Sequence, residues 1–108
     1  MPALEKINVA SDFSRFPSGR YLDDGPDSGE RFRESFLKPS LEEHERVEVF
    51  IEGTEGYGSS FLEEAFGGLI RKGYFSRDAL HSKLEIKTRD DLYKSYIDEA
   101  WSYINDID

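Results

Sequence analysis

RVEVFIEGTEGYGSSFLEEAFGGLIRKG, Arg46 to Gly73, carries a strand, a loop and a helix in one uninterrupted stretch, and its reading sets the fold class. Arg46 to Glu52 alternates, with Val47, Val49 and Ile51 on one face and Glu48, Phe50 and Glu52 on the other, the period-two pattern of a strand. Phe50 makes the second face apolar at its middle, which places this strand inside the sheet, covered on both sides there. The chain then runs through Gly53, Thr54, Glu55, Gly56, Tyr57 and Gly58. Ser59 and Ser60 open a segment whose apolar positions, Phe61, Leu62, Ala65, Phe66, Leu69 and Ile70, recur at helical spacing. Ser60 with Glu63 fits a capping box, Arg71 and Lys72 complement the carboxyl end of the helix dipole, and Gly73 terminates the helix.

Upstream, Ile7 and Val9 flank Asn8 as a short strand, and Gly19 to Leu22 has the length of a second one after the turn formers Pro17, Ser18 and Gly19. Ser28 is placed to cap a helix from Gly29 or Glu30, with Phe32, Phe36 and Leu37 as its buried stripe. Pro39 cannot donate to the helical ladder, so the spacing predicts a kink or an end near Lys38, with Ser40 to Glu45 as a final turn. Downstream, Leu84 and Ile86 alternate with Lys83, Glu85 and Lys87 as an edge strand with one polar face. Thr88 caps a last helix with the stripe Leu92, Tyr93, Tyr96, Ile97, Ala100, Trp101 and Ile104, and Asp90 and Asp91 suit its positive end. Strand, strand, helix, strand, helix, strand, helix implies right-handed crossovers. The expected class is α/β, a layered domain with a mixed, largely parallel sheet of about four strands and about three helices.

The rest of the composition agrees with one domain over residues 1–108. With 108 residues, folding buries roughly two thirds of the surface the unfolded chain exposes. Eight Phe, six Tyr and one Trp supply bulky core material, and no repeat or linker divides the chain. The absence of Cys removes disulfide, thiolate-zinc, thiol-nucleophile and iron–sulfur chemistry together. Fourteen basic against 23 acidic side chains give a net charge of −9, a field that repels phosphate backbones and anionic membranes. Nucleic acid and membrane are therefore not the expected partners. With no apolar run of membrane length and no basic leader at Met1 to Ala10, a cytoplasmic protein is expected.

Chemistry concentrates in the glycine loop. A buried strand delivers the chain through three glycines to the amino end of an amphipathic helix, where unpaired N–H groups and the dipole favour negative charge. A serine at that place either carries a phosphoryl group or simply caps the helix. A nucleotide phosphate loop is not indicated, because no Gly-Lys-Ser/Thr ending follows. Tyr57 either presents its ring as a contact residue on the loop or folds it back onto the sheet edge. The adjacent acids Glu63-Glu64 and Asp90-Asp91 do not face each other on a helix and read as capping and solubility residues. Asp23-Asp24-Gly25-Pro26-Asp27 lacks the alternating ligands of a calcium loop and reads as a turn. His44 and His81 read as solvated loop residues, leaving no metal centre, cofactor or histidine-based catalysis expected.

GTEGYGSSFLEEAFGGLIRKG, Gly53 to Gly73, with GRYLDDGPDSGERFRESFLKPSL, Gly19 to Leu41, resembles the STAS-like domains of unknown function, relatives of the STAS domain of sulphate transporters and anti-sigma factor antagonists. The likeness extends roughly from Ile7 to Lys87. In the anti-anti-sigma proteins of that superfamily a loop of the form Asp-Ser-Ser-Gly-Leu follows a central strand and opens a helix. Its first serine is phosphorylated by a partner kinase that is also the anti-sigma factor. Ser59, Ser60 and Leu62 match that loop, whereas Gly58 stands at the position of the aspartate and Phe61 at that of the glycine, with Glu52 and Glu55 as nearby acidic substitutes.

The resemblance implies a non-enzymatic regulatory module in signal transduction, docking a histidine-kinase-type ATPase or an anti-sigma-like regulator through the Gly53 to Ile70 surface. Thr54, Glu55, Gly56, Tyr57, Gly58, Ser59 and Glu63 are its expected contact residues, and Ser59 and Ser60 the expected phosphorylation positions. A monomer or weak homodimer is expected. The alternative of another class is a small-anion or nucleotide binder or hydrolase, with the helix start holding the anion and Glu52 or Glu55 as acid–base. A third is a homo-oligomeric structural component pairing through an exposed sheet edge.

Overall fold

A computed structural model describes residues 3–106; the ends of the 1–108 domain expectation lie outside the described residues. Three strands form the sheet: β1 (Leu4–Asn8), β2 (Arg46–Phe50) and β3 (Leu84–Lys87). They lie in the order β1-β2-β3 and all run parallel. Val49 stands between Ile7 and Ile86, and Val47 beside Leu84, so these apolar positions share one face. Ile7, Val47, Val49, Leu84 and Ile86 are buried on that face, together with Val9 and Ile51 just beyond the strand ends.

The helices form the second layer. α1 spans residues 29–43 and α2 residues 59–71; each is interrupted by one widened π turn, at Arg33–Leu37 and Glu63–Gly67 respectively. α3 is Arg77–Lys83 and α4 is Lys94–Asp106. α2 lies centrally in this layer, with α1 on one side and α4 on the other. Phe32, Leu37 and Leu41 of α1, Phe61, Leu62, Ala65, Phe66 and Leu69 of α2, and Ala100 and Ile104 of α4 close over the apolar sheet face. Such two-layer packing buries one face of each element and leaves the other to solvent.

Several details depart from the sequence reading. Gly19 to Leu22 does not form a strand; Tyr21 instead opens a short 3-10 turn, Leu22–Asp24, held by the Asp24 carboxylate accepting from the Tyr21 amide at 2.8 Å. With that strand gone, the sheet is wholly parallel rather than mixed. Pro39 does not end α1, which continues to Glu43. The π turn just before it lets Lys38 N–H bond back to Arg33 O, so Pro39 falls at the start of a fresh helical segment, where a missing N–H costs little. Phe50 is not covered by a second layer of helices. Lys87 and Arg89 lie over its ring instead, at 5.8 and 4.6 Å from the centroid, on a sheet face laced by the ion pairs Arg46–Glu85, Lys87–Glu48 and Arg89–Glu52.

α3 has no counterpart in the sequence reading, and His81 belongs to it rather than to a loop, stacked on Trp101 at 4.8 Å. The last helix starts late: Asp90, not Thr88, is the capping residue, accepting from Leu92 N–H, and Asp91–Tyr93 is a 3-10 turn. Three residues per turn changes the phase, so Leu92 points outward at 84% exposure instead of joining the buried stripe. No helix among the described residues is long and apolar enough to cross a membrane.

Candidate functional site

β2 ends at Phe50, and Ile51 stays in the sheet's hydrogen bonding, its N–H donating to Lys87 O at 3.0 Å. From there the loop 53–58 is pinned from beneath. Tyr57 turns inward and donates its hydroxyl to Ile51 O at 2.8 Å, with its ring 5.7 Å from Phe61 and 5.2 Å from Tyr96. Burial holds the Tyr57 phenol far above its ordinary value, so it remains a neutral hydrogen-bond donor. Thr54 is buried as well; its hydroxyl accepts from Gly56 N–H at 3.2 Å and its carbonyl accepts from the Tyr93 hydroxyl. Glu55 N–H donates to Arg15 O at 2.8 Å.

Gly56 is the position where the turn requires glycine. Its φ is +101°, and a Cβ there would stand 2.9 Å from the Tyr96 hydroxyl. The consequence is a loop whose inner side is filled and whose outer side is bare. Gly53, Glu55, Gly58, Ser59 and Ser60 are exposed; Thr54 and Tyr57 are not. The two side chains therefore correct the expected contact surface: Tyr57 is a plug beneath the loop and Thr54 a brace within it, because the aromatic ends of α2 and α4 leave a socket that a phenol fills.

α2 begins at Ser59, which makes Gly58 the N-cap, and glycine supplies no side-chain cap. Ser60 sits in the first turn rather than at the cap, so the Ser60–Glu63 capping box does not form. Both serine side chains face solvent at a helix end that no side chain closes. Ser59 lies near the Tyr103 phenol of α4. That phenol donates to the Glu99 carboxylate at 2.7 Å, which together with burial and the charge of Glu99 raises its pKa, while the Ser59 contact pulls the other way.

Glu63 and Glu64 do more than solubilise the helix. Glu64 is buried in the π turn and accepts from Arg33 of α1 at 2.7 Å, while its backbone carbonyl takes a second Arg33 bond at 2.6 Å. Arg33 is 0% exposed and reaches Glu34 at 2.9 Å as well. Burial opposes its charge, but the hydrogen bonds it donates to Glu64 and Glu34 outweigh it and raise the pKa, so the guanidinium stays charged. Arg20 and Arg71 bind Glu63 from both sides, and Arg71 adds a 3.0 Å contact to Glu64. No sequence pattern announces this cluster, because its members come from the 14–27 loop and three different helical turns.

The acid–base candidates are placed less favourably. Glu52 is held by Arg89 through the Arg89 amide at 3.2 Å and guanidinium at 2.6 Å. Desolvation pushes its carboxyl up, but the hydrogen bonds from its own amide and from Arg89 win and hold it below the ordinary value. Glu55 lines an open hollow of about 300 Å³ with Thr54, Gly56, Leu92, Tyr93 and Tyr96, none of them cationic. Among the described residues no group of three or more His, Cys, Asp or Glu side chains is arranged to hold a metal.

A family model for the STAS-like domain of unknown function matches residues 28–94, from the cap of α1 through β2, the glycine loop, α2, α3 and β3 to the turn before α4. No curated protein and no solved structure matches the chain.

Proposed function

The chain belongs to the family of STAS-like domains of unknown function, and from that membership we propose that it is a non-catalytic regulatory module that docks a protein partner through the outer rim of the glycine loop and the first turn of α2. The observation that carries this reading is the open helix start: Gly58, Ser59 and Ser60 are exposed and uncapped on a helix whose remaining faces are locked into the core. Docking residues are accordingly Glu55, Gly56, Gly58, Ser59, Ser60 and the rim carboxylate Glu63. The partner chemistry that fits is a kinase-type ATPase or an anti-sigma-like regulator, docking against the uncharged glycine–serine rim.

Phosphorylation at Ser59 acts here as a simple electrostatic switch. It adds about −1.5 to −2 charges to a docking surface that is neutral at its serines, on a chain already at −9, and weakens docking by repulsion from acidic groups of the partner. The anion-binding alternative gains no support from the Glu55 hollow, whose lining residues carry no positive charge, nor from Glu52, which Arg89 keeps ionised. Inorganic phosphate and nucleotides are expected to leave the melting temperature unchanged; stabilisation by either would favour that alternative.

The test is a pull-down from the native host with wild type, Ser59→Ala and Ser59→Glu, with phosphosite mapping of the recovered chain. Ser59→Ala is expected to retain the partner and Ser59→Glu to lose about tenfold or more in recovery. Equal recovery by the two variants contradicts the switch.

A further inference from the structure

β1 has only one neighbour in the sheet, so its other side is an edge. In a parallel strand the N–H and C=O of one residue point the same way and alternate along the chain. Asn8 N–H donates to the Asp12 carboxylate at 2.8 Å, away from β2. The backbone groups of Lys6, two residues earlier, therefore point outward with it, and those of Leu4 as well. Beside this edge runs a cleft of about 480 Å³ between β1 and α1. Ile7, Phe36 and Pro39 give its wall apolar patches, and Glu5, Asp12 and Glu43 supply carboxylates; Lys6 is the single cation in the lining. Ser40, itself buried, donates to Glu5 and fixes that carboxylate at the cleft wall.

We propose that this edge and its cleft form a second interaction site, which takes an extended segment of a protein partner by strand addition to β1, with lysine or arginine at alternate positions paired to Glu5, Asp12 and Glu43. Main-chain bonds to the free edge supply affinity, and side-chain alternation supplies selectivity. The occupant follows from charge. A second copy of this chain would bring the same carboxylates against each other on a molecule of net charge −9, whereas a basic segment relieves that repulsion. A basic residue at every second position presents its cations to the cleft carboxylates along one face of the added strand, because successive side chains point to opposite faces. The site is remote in sequence from the glycine loop and does not depend on how that loop is used.

The experiment is an amide-shift titration of the full chain with three short probe peptides: alternating lysine and valine, the same peptide with a central proline, and alternating glutamate and valine. The lysine–valine peptide is expected to bind saturably, moving the amides of residues 4–12 and 35–43. The proline peptide, equal in charge but unable to complete a strand, is expected to bind about tenfold more weakly, and the glutamate peptide not at all. Glu43 is exposed and in no ion pair among the described residues, so Glu43→Lys keeps the fold and is expected to weaken the lysine peptide. Lys6→Pro, which removes an outward N–H at an edge position that tolerates proline, is expected to do the same. Equal binding of the proline peptide, shifts centred on the glycine loop, or no saturable binding would each overturn the proposal.

Discussion

The two helices that carry π turns start in opposite ways. α1 begins under a fully buried serine: Ser28 is 0% exposed and its hydroxyl accepts from Arg31 N–H at 3.2 Å. α2 begins at a glycine with no side-chain cap and carries two exposed serines in its first turn. Both follow loops, and both widen into a π turn at their fifth residue. The Arg33–Glu64 pair joins the two at those widened turns. The difference shows that the same residue type does two jobs here. At α1 serine is a structural cap that the fold has closed over, and at α2 it is a hydroxyl that the fold holds out.

The largest effect is expected where the two helices are tied. Glu64→Ala leaves the Arg33 charge buried without its principal partner, and urea unfolding should show a loss of about 3–5 kcal/mol. Arg33→Met combined with Glu64→Leu should recover most of it, since well-packed apolar residues often replace a buried pair without loss. Next comes the close approach of the helix starts. A Cβ on Gly29 would stand 2.5 Å from Phe61 O, so Gly29→Ala is expected to cost about 1–3 kcal/mol by the same measurement.

The serines themselves sharpen the contrast. Ser28→Ala should destabilise by about 1 kcal/mol through loss of the cap, whereas Ser59→Ala should stay within about 0.5 kcal/mol because Ser59 caps nothing. Equal costs would mean that the two helix starts are equivalent. The smallest effect concerns acid. The Glu52 carboxyl is held below its ordinary value of 4.5, so its contribution is present above that pH and disappears as pH falls through the lower, folded-state value. Glu52→Gln is therefore expected to be slightly less stable at neutral pH and to show a shallower loss of stability below about pH 4.5.

The central strand, the glycine loop and the stripe of α2 were legible because each is long, periodic and bounded by residues with a strong local preference. α3 was not: only Leu80 of its seven residues is buried, so no periodicity forms. Its one signal was local, Ser76 accepting from Ala79 N–H as a cap. The inward turn of Tyr57 depends on Tyr96 and Phe61, which arrive from other elements, and a compliant glycine loop leaves either direction open in the sequence. Phe50 suggested a covered sheet face, yet an aromatic ring is also satisfied by two cations, which only the register of β3 brings to it. The Arg–Glu cluster was hidden for the same reason, since reading Glu63 and Glu64 along one helix omits Arg20 and Arg33. The exposed serines, by contrast, stand where strand, loop and helix phase put them.

The most direct test of the docking surface is a hydrogen-exchange footprint of the chain alone and in complex with the partner recovered from the host. Protection confined to residues 53–63, with α3 and the open sheet face unchanged, is the predicted result. Protection that leaves the Gly58–Ser60 amides exchanging as in the free chain would contradict it.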